Sequence, residues 1–166
     1  MKFATINGIS IHYQFDDAGA AKPLIVFSNS LATDFRIWQD CVDNLSADYS
    51  ILRYDKRGHG LSGMGTPPYQ IDDHVNDLVA LMDHLGLSGA VVVGLSVGGL
   101  IAQGLYHARP DLAKALILCD TAAKIGNAAR SSLRRHVCYP PSRRKCRFLL
   151  YETASRSASC ETEGLR

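Results

Sequence analysis

The sequence predicts an α/β fold in which a mostly parallel sheet carries an antiparallel hairpin at its N-terminal edge. From residue 23 onward, short apolar runs alternate with helical stripes in the order strand, helix, strand, helix, strand, helix, strand. Strands separated by helices need crossover connections, and crossovers make the sheet parallel. Before residue 23, residues 9–15 alternate apolar with polar, and the turn dipeptide Asn7-Gly8 precedes them. In such a sheet, ligands bind at the carboxyl ends of the strands.

The first strand–helix unit follows Pro23. Residues 24–27 are apolar without a break, which is typical of a strand buried on both faces of a parallel sheet. The polar residues 28–30 end this strand, and Thr33 or Asp34 can then cap a helix. Apolar residues at three- and four-residue spacing mark the buried face of this helix: Phe35, Trp38, Val42 and Leu45.

The remaining elements follow the same alternation. A loop rich in Gly and Pro, residues 55–68, separates the second strand from an amphipathic helix that ends at Gly86. The last helix ends before Pro110, because the residue before a proline disfavours helical dihedrals. The predicted strands are 50–54, 90–93 and 115–119, and the predicted helices are 71–85 and 97–109.

Composition describes one globular domain. The 166 residues are 46% hydrophobic and 20% charged, with a formal net charge of +2. The apolar runs are far shorter than the roughly 18 residues of a membrane span. The N-terminus has neither a continuous apolar segment nor a small-residue cleavage site, so we expect a cytoplasmic protein without membrane association. The five cysteines are odd in number and irregularly spaced, which favours free thiols.

The chain divides into two compositions at residue 129. Residues 1–129 hold 9 Lys and Arg against 13 acidic residues, all Asp, whereas residues 130–166 hold 9 against 3, all Glu. We therefore interpret 1–129 as the N-terminal part of the α/β domain. We expect 130–166 to be a basic, poorly ordered tail that forms no compact element with the sheet, because its few apolar residues show no sustained period.

The motif that carries chemistry is G-x-S-x-G, formed by residues 94–98 directly between a predicted strand and a predicted helix. This is the context of a nucleophile elbow, in which a strained turn projects the Ser96 hydroxyl above the sheet edge. Gly94 and Gly98 are needed because side chains there would collide with backbone. The Val97 amide can donate to an oxyanion, and the second donor is expected in the loop after the first parallel strand, at Leu31.

A dinucleotide site is the alternative interpretation of this glycine-rich turn. The G-x-G-x-x-G fingerprint also requires an acidic residue at the end of the next strand, and Asp120 lies at that position. Ser96, however, occupies the place of the second glycine.

No histidine after the motif is well placed to act as the base. His107 lies 11 residues along the helix that Ser96 opens, about 16 Å away at 1.5 Å per residue. His136 falls in the basic tail, and His59 precedes the nucleophile in a loop where we expect a structural role. Asp120 lies at a suitable depth for the acid but has no histidine to orient.

These residues resemble the α/β-hydrolase superfamily and, within it, the 3-oxoadipate enol-lactone hydrolases. The resemblance covers residues 1–128 and rests on FSNSLATDFRIW (27–38), YDKRGHGLS (54–62), IDDHVNDL (71–78), VVVGLSVGGLIAQGL (91–105) and ALILCDTAAKIG (115–126). It implies a hydrolase with Ser96 as nucleophile, Leu31 and Val97 as oxyanion donors, a small lactone as substrate, and no metal or organic cofactor. Asn29-Ser30 stand where many members have His-Gly, a substitution shared by the enol-lactone hydrolases.

The resemblance stops near residue 128. Family members continue with a helical cap, further strand–helix units, and the triad Asp and His, and none of these is recognisable here. The fold is therefore predicted to be an incomplete α/β-hydrolase whose tail resembles translation in a shifted reading frame. Such a chain is expected to turn over little substrate. A catalytically silent remnant and a hydrolase of another ester or lactone are the alternatives.

The tail has features of two other functions. Its basic cluster at residues 143–145 has the charge of a nucleic-acid-binding arm, but a solvated segment has the same composition. Four potential zinc ligands have spacings that match no paired zinc motif: His136, Cys138, Cys146 and Cys160. We therefore expect neither nucleic acid nor metal to bind.

Overall fold

A computed structural model describes residues 2–122, 133–136 and 148–153. The strands are β1 (Lys2–Ile6), β2 (Ile9–Asp16), β3 (Leu24–Ser28), β4 (Ser50–Tyr54), β5 (Ala90–Leu95), β6 (Ala113–Cys119), β7 (Leu133–His136) and β8 (Phe148–Thr153). The helices are α1 (Gln39–Leu45), α2 (Ile71–His84) and α3 (Val97–Ala108). Among these described elements, every helix is too short or too polar to cross a bilayer.

The predicted hairpin is confirmed. β1 and β2 pair antiparallel, and Ile6 lies opposite Ile9 across a two-residue turn. Asn7 and Gly8 both have positive φ angles, 49° and 76°, as the tight hairpin turn requires. β2 then pairs antiparallel with β4, which attaches the hairpin to the rest of the sheet.

The described strands form one sheet in the order β1-β2-β4-β3-β5-β6-β8-β7. The central pairs β3–β4, β3–β5 and β5–β6 are parallel, so the prediction of a mostly parallel sheet with an N-terminal antiparallel hairpin is confirmed. Parallel pairing brings the carboxyl ends of four successive strands to one edge. The residues that follow those ends are Asn29, Asp55, Ser96 and Asp120.

The helices cover the two faces of the sheet unequally. α2 and α3 pack on one face over a large apolar cluster that includes Leu78, Ile101 and Leu116, all fully buried. α1 covers part of the other face, where Trp38 stacks on Phe27 with ring centroids 4.6 Å apart. The central strands are therefore apolar on both sides, which explains their unbroken hydrophobic runs.

The first predicted helix begins differently from expectation. Residues Phe35–Trp38 form a 3-10 turn, and the α-helix starts only at Gln39. Asp34 caps the turn by accepting a 2.9 Å hydrogen bond from the Arg36 amide, so Asp34 and not Thr33 is the capping residue. The buried Asp55 carboxylate also accepts from the Phe35 amide at 2.8 Å, which joins this turn to the end of β4.

The prediction that residues 130–166 form no element with the sheet is wrong for two segments of the basic tail. β8 pairs antiparallel with β6, from Ala115 opposite Glu152 to Cys119 opposite Phe148, and β7 pairs antiparallel with β8. Without β8, β6 would end the described sheet and leave a row of backbone N–H and C=O groups unpaired. The predicted poor order of the tail concerns mostly residues outside the described ones.

Candidate active site

Ser96 occupies the sharp turn between β5 and α3. Its φ of 54° and ψ of −117° lie in a region that non-glycine residues rarely adopt and that costs about 1–3 kcal/mol. The residue is half-buried, and within the described part of the chain its hydroxyl makes no hydrogen bond. The strained turn therefore presents a hydroxyl group at the carboxyl edge of the sheet.

The two glycines of the motif are required by close backbone contacts. A Cβ atom on Gly94 would lie 2.6 Å from the carbonyl carbon of Gly98. A Cβ atom on Gly98 would lie 2.6 Å from the carbonyl carbon of Ser28, at the end of the neighbouring β3. Real Cβ atoms do not approach backbone this closely, so only glycine fits either position.

Backbone hydrogen bonds hold the Ser96 turn in place. The Ser96 amide donates to the Cys119 carbonyl at 2.9 Å, and the Ser96 carbonyl accepts from the Gly99 amide at 2.9 Å. The Thr121 hydroxyl donates to the same Ser96 carbonyl at 2.5 Å. Sequence reasoning missed Thr121; its only signal is its place just after β6, the strand beside β5.

The loop that follows β3 lies against the first turn of α3. The carbonyl oxygen of Asn29 would be 2.9 Å from a Cβ atom on Gly98. Val97 begins that helical turn, where the first amides have no intrahelical acceptor. Leu31, two residues beyond Asn29, is 66% exposed. The segments that carry the two predicted oxyanion donors are therefore neighbours at the same sheet edge.

A buried lysine supports this loop. The Lys56 ammonium donates to the carbonyl oxygens of Asn29 and Ser30, both at 2.9 Å, and the residue is only 1% exposed. Burial lowers the pKa of Lys56 to about 8, against the opposing effect of the Asp55 charge. Sequence reasoning missed this residue because lysines are almost always exposed.

Of the histidines whose side chains the structure describes, none is in hydrogen-bonding contact with Ser96. His107 is exposed at the far end of α3. His59 lies closer to the oxyanion loop, because it lines a cavity of about 380 Å³ together with Leu31. The His59 Nδ1 atom is 3.0 Å from the Arg57 carbonyl oxygen. His136 lies on β7, opposite Leu150.

The other polar candidates are Asp120 and the hypothetical zinc ligands. Asp120 is exposed directly after β6 and has a positive φ of 42°. Within the described residues, no three His, Cys, Asp or Glu side chains lie close enough together to hold a metal ion. The cysteines of the hypothetical zinc set, Cys138, Cys146 and Cys160, fall outside the described residues.

A model of the alpha/beta hydrolase fold family matches residues 23–137 of the chain. Among curated proteins, the chain is similar to 3-oxoadipate enol-lactonase 2 of Acinetobacter baylyi, with 41% identity over 120 residues that cover 70% of this chain and 45% of the relative. It is also similar to the lipase LipV of Mycobacterium tuberculosis, with 36% identity over 70% of this chain and 44% of the relative.

A solved structure is also similar to this chain. The chain superposes on the enol-lactonase from Burkholderia xenovorans LB400 with a TM-score of 0.71 and 41% identity, covering 75% of this chain and 48% of that one. The chain thus spans about half the length of the proteins it matches.

Proposed function

Because the chain belongs to the α/β-hydrolase family, we propose that Ser96 is the nucleophile of a serine hydrolase that opens the lactone ring of 3-oxoadipate enol-lactone. The strained elbow is the observation that carries this proposal. Gly94 and Gly98 are fixed by backbone contacts, and the arrangement leaves the Ser96 hydroxyl without a structural partner among the described residues. Two similar proteins are enol-lactonases, which supports a lactone as the substrate class.

The chemistry follows from these positions. The Ser96 oxygen attacks the lactone carbonyl carbon and gives its proton to a general base, while the Leu31 and Val97 amides donate to the oxyanion that forms. The ring C–O bond then breaks, and the leaving oxygen takes the proton. Water hydrolyses the resulting acyl-serine, which releases the carboxylic acid and restores the Ser96 hydroxyl. Ring opening thus uses one water and no other reactant.

Hydrolysis of a different ester or lactone is the second candidate. The similarity to the lipase LipV favours it, since that relative matches 70% of this chain, as the Acinetobacter enol-lactonase does. The elbow and the oxyanion donors act on any acyl carbonyl, so they do not select the substrate.

The chain of 166 residues is expected to turn over little enol-lactone by itself. Among the side chains that the structure describes, no histidine contacts Ser96; a serine hydroxyl without such a base is a weak nucleophile, and oxyanion donors alone leave roughly 10³–10⁴-fold acceleration over water. The decrease in enol-lactone absorbance over hours measures this turnover. Rapid multiple turnover that disappears in Ser96→Ala would contradict the expectation and would point to His59 or His136 as an unrecognised base.

A chimera tests the proposed function itself. Residues 1–122 are fused to the corresponding C-terminal half of the Acinetobacter enol-lactonase, with that half alone as control. We expect the chimera to hydrolyse the enol-lactone with a higher kcat/KM than p-nitrophenyl butyrate. The reverse preference would support the second candidate. A folded chimera without activity on either compound would identify residues 1–122 as a catalytically silent remnant.

A further inference from the structure

Lys56 is a buried cation. The residue is 1% exposed, and within the described residues its ammonium forms no salt bridge. Its two hydrogen bonds go instead to consecutive carbonyl oxygens, those of Asn29 and Ser30. Burying an ammonium group is unfavourable unless its donors are hydrogen-bonded, and two of the Lys56 donors are.

Planarity of the peptide bond links Lys56 to the predicted oxyanion donor. The carbonyl of Ser30 and the amide N–H of Leu31 belong to the same trans peptide unit, in which the two groups point in opposite directions. Because Lys56 holds the Ser30 carbonyl toward the interior, the Leu31 N–H is directed away from it. Leu31 is 66% exposed and lies two residues after Asn29, whose carbonyl lies against the first turn of α3, so the Leu31 amide lies at the same sheet edge as Ser96.

The charge of Lys56 also strengthens the Leu31 amide as a hydrogen-bond donor. An ammonium on a carbonyl oxygen polarises the peptide and makes its N–H a stronger donor, since hydrogen bonds in a chain reinforce one another. The Thr33 hydroxyl donates to the same Ser30 carbonyl at 2.9 Å, so two side chains fix this one peptide plane. Such preorganised donors are what an oxyanion site requires.

We propose that Lys56 is a positioning residue that orients and polarises the Leu31 amide for the oxyanion formed at Ser96. This inference deepens the proposed function and rests on it. Lys56 touches neither substrate nor nucleophile, and it acts through the Ser30–Leu31 peptide.

The test uses the 166-residue chain and p-nitrophenyl acetate. Acetylation of Ser96 is followed by release of p-nitrophenol and by peptide mapping, with Ser96→Ala as the blank. We expect Lys56→Met, which keeps the side-chain length but removes the donors, to slow saturating acetylation of Ser96 by about 10- to 100-fold, less than loss of a whole oxyanion donor. The half-saturating ester concentration should stay within about twofold, because ground-state binding of the ester is unchanged.

Lys22→Met is the matched control, because Lys22 is exposed and, among the described residues, its ammonium pairs with Asp48 alone, at 3.5 Å. It should acetylate at the rate of the unaltered chain. A Lys56→Met rate equal to that of the unaltered chain, or an equal loss in Lys22→Met, would overturn the proposal. If Lys56→Met does not fold, Lys56→Gln replaces it: its amide keeps two donors without charge, and we expect an intermediate rate.

A measurement on the unaltered chain separates this inference from the proposed function. The ¹⁵N resonance of the Leu31 amide should titrate with the same midpoint as the Lys56 amine nitrogen, whereas that of Val97 should not. The charged and titratable neighbours of Lys56, Asp55 and His74, must be followed in the same spectra. A Leu31 ¹⁵N resonance that does not shift as Lys56 titrates overturns the inference. Failure of Ser96 to acetylate, with the Leu31 titration intact, overturns the proposed function instead.

Discussion

Ser96→Ala in the chimera is expected to lower kcat/KM for the enol-lactone by about 10³-fold or more, with little change in stability. The hydroxyl makes no hydrogen bond among the described residues, so its removal breaks no structural contact there. It does remove the atom that forms the acyl intermediate, and knocking out a nucleophilic serine typically costs several orders of magnitude in rate. Lactone disappearance measures the rate, and thermal unfolding checks the fold.

Ser46→Ala is the matched control, because Ser46 is an exposed serine at the end of α1, far in sequence from the elbow. It should leave kcat/KM unchanged. If the chimera with Ser96→Ala kept its activity, Ser96 would have no part in the mechanism, and the elbow would be only a turn.

Gly98→Ala is expected to destabilise the 166-residue chain by about 3 kcal/mol. The new Cβ atom would lie 2.6 Å from the carbonyl carbon of Ser28, so either β3 or the first turn of α3 must move. Alanine favours a helix over glycine by about 1 kcal/mol, which offsets only part of this cost. Urea unfolding, monitored by circular dichroism, gives the difference in unfolding free energy between the variant and the unaltered chain.

Gly104→Ala in the same helix serves as the comparison. The three atoms nearest to its Cβ would all belong to the Val75 side chain, the closest at 2.5 Å, so a side-chain adjustment relieves the contact. We expect a loss well below that of Gly98→Ala. Equal losses from the two substitutions would show that the elbow is no tighter than the rest of α3.

Local patterns in the sequence predicted most of the fold. The Asn7-Gly8 turn, the unbroken apolar run of β3 and the strand Ser50–Tyr54 each have one dominant local cause, and each lies where expected. The position of Ser96 also follows from local sequence, because a strand, two glycines and a helix start occur in one short segment. Its catalytic role stays a prediction.

Contacts between distant segments were not predictable in this way. Lys56 lies in a loop of charged residues, a composition that predicts an exposed side chain. It is buried because the ends of β3 and β4 are neighbours in the sheet. Thr121 reaches Ser96 because β5 and β6 are neighbours in the sheet. The pairing of β8 with β6 depends on an open sheet edge, which no periodicity within residues 130–166 reveals.

The central claim is that the elbow makes Ser96 the most reactive serine of the chain, and one competition experiment tests it most directly. The 166-residue chain is incubated with an alkyl p-nitrophenyl phosphonate, whose adducts persist, and the labelled peptides are mapped over time. We predict that Ser96 is labelled well before the exposed Ser46 and Ser88. Labelling of Ser46 or Ser88 as fast as Ser96 would contradict the claim.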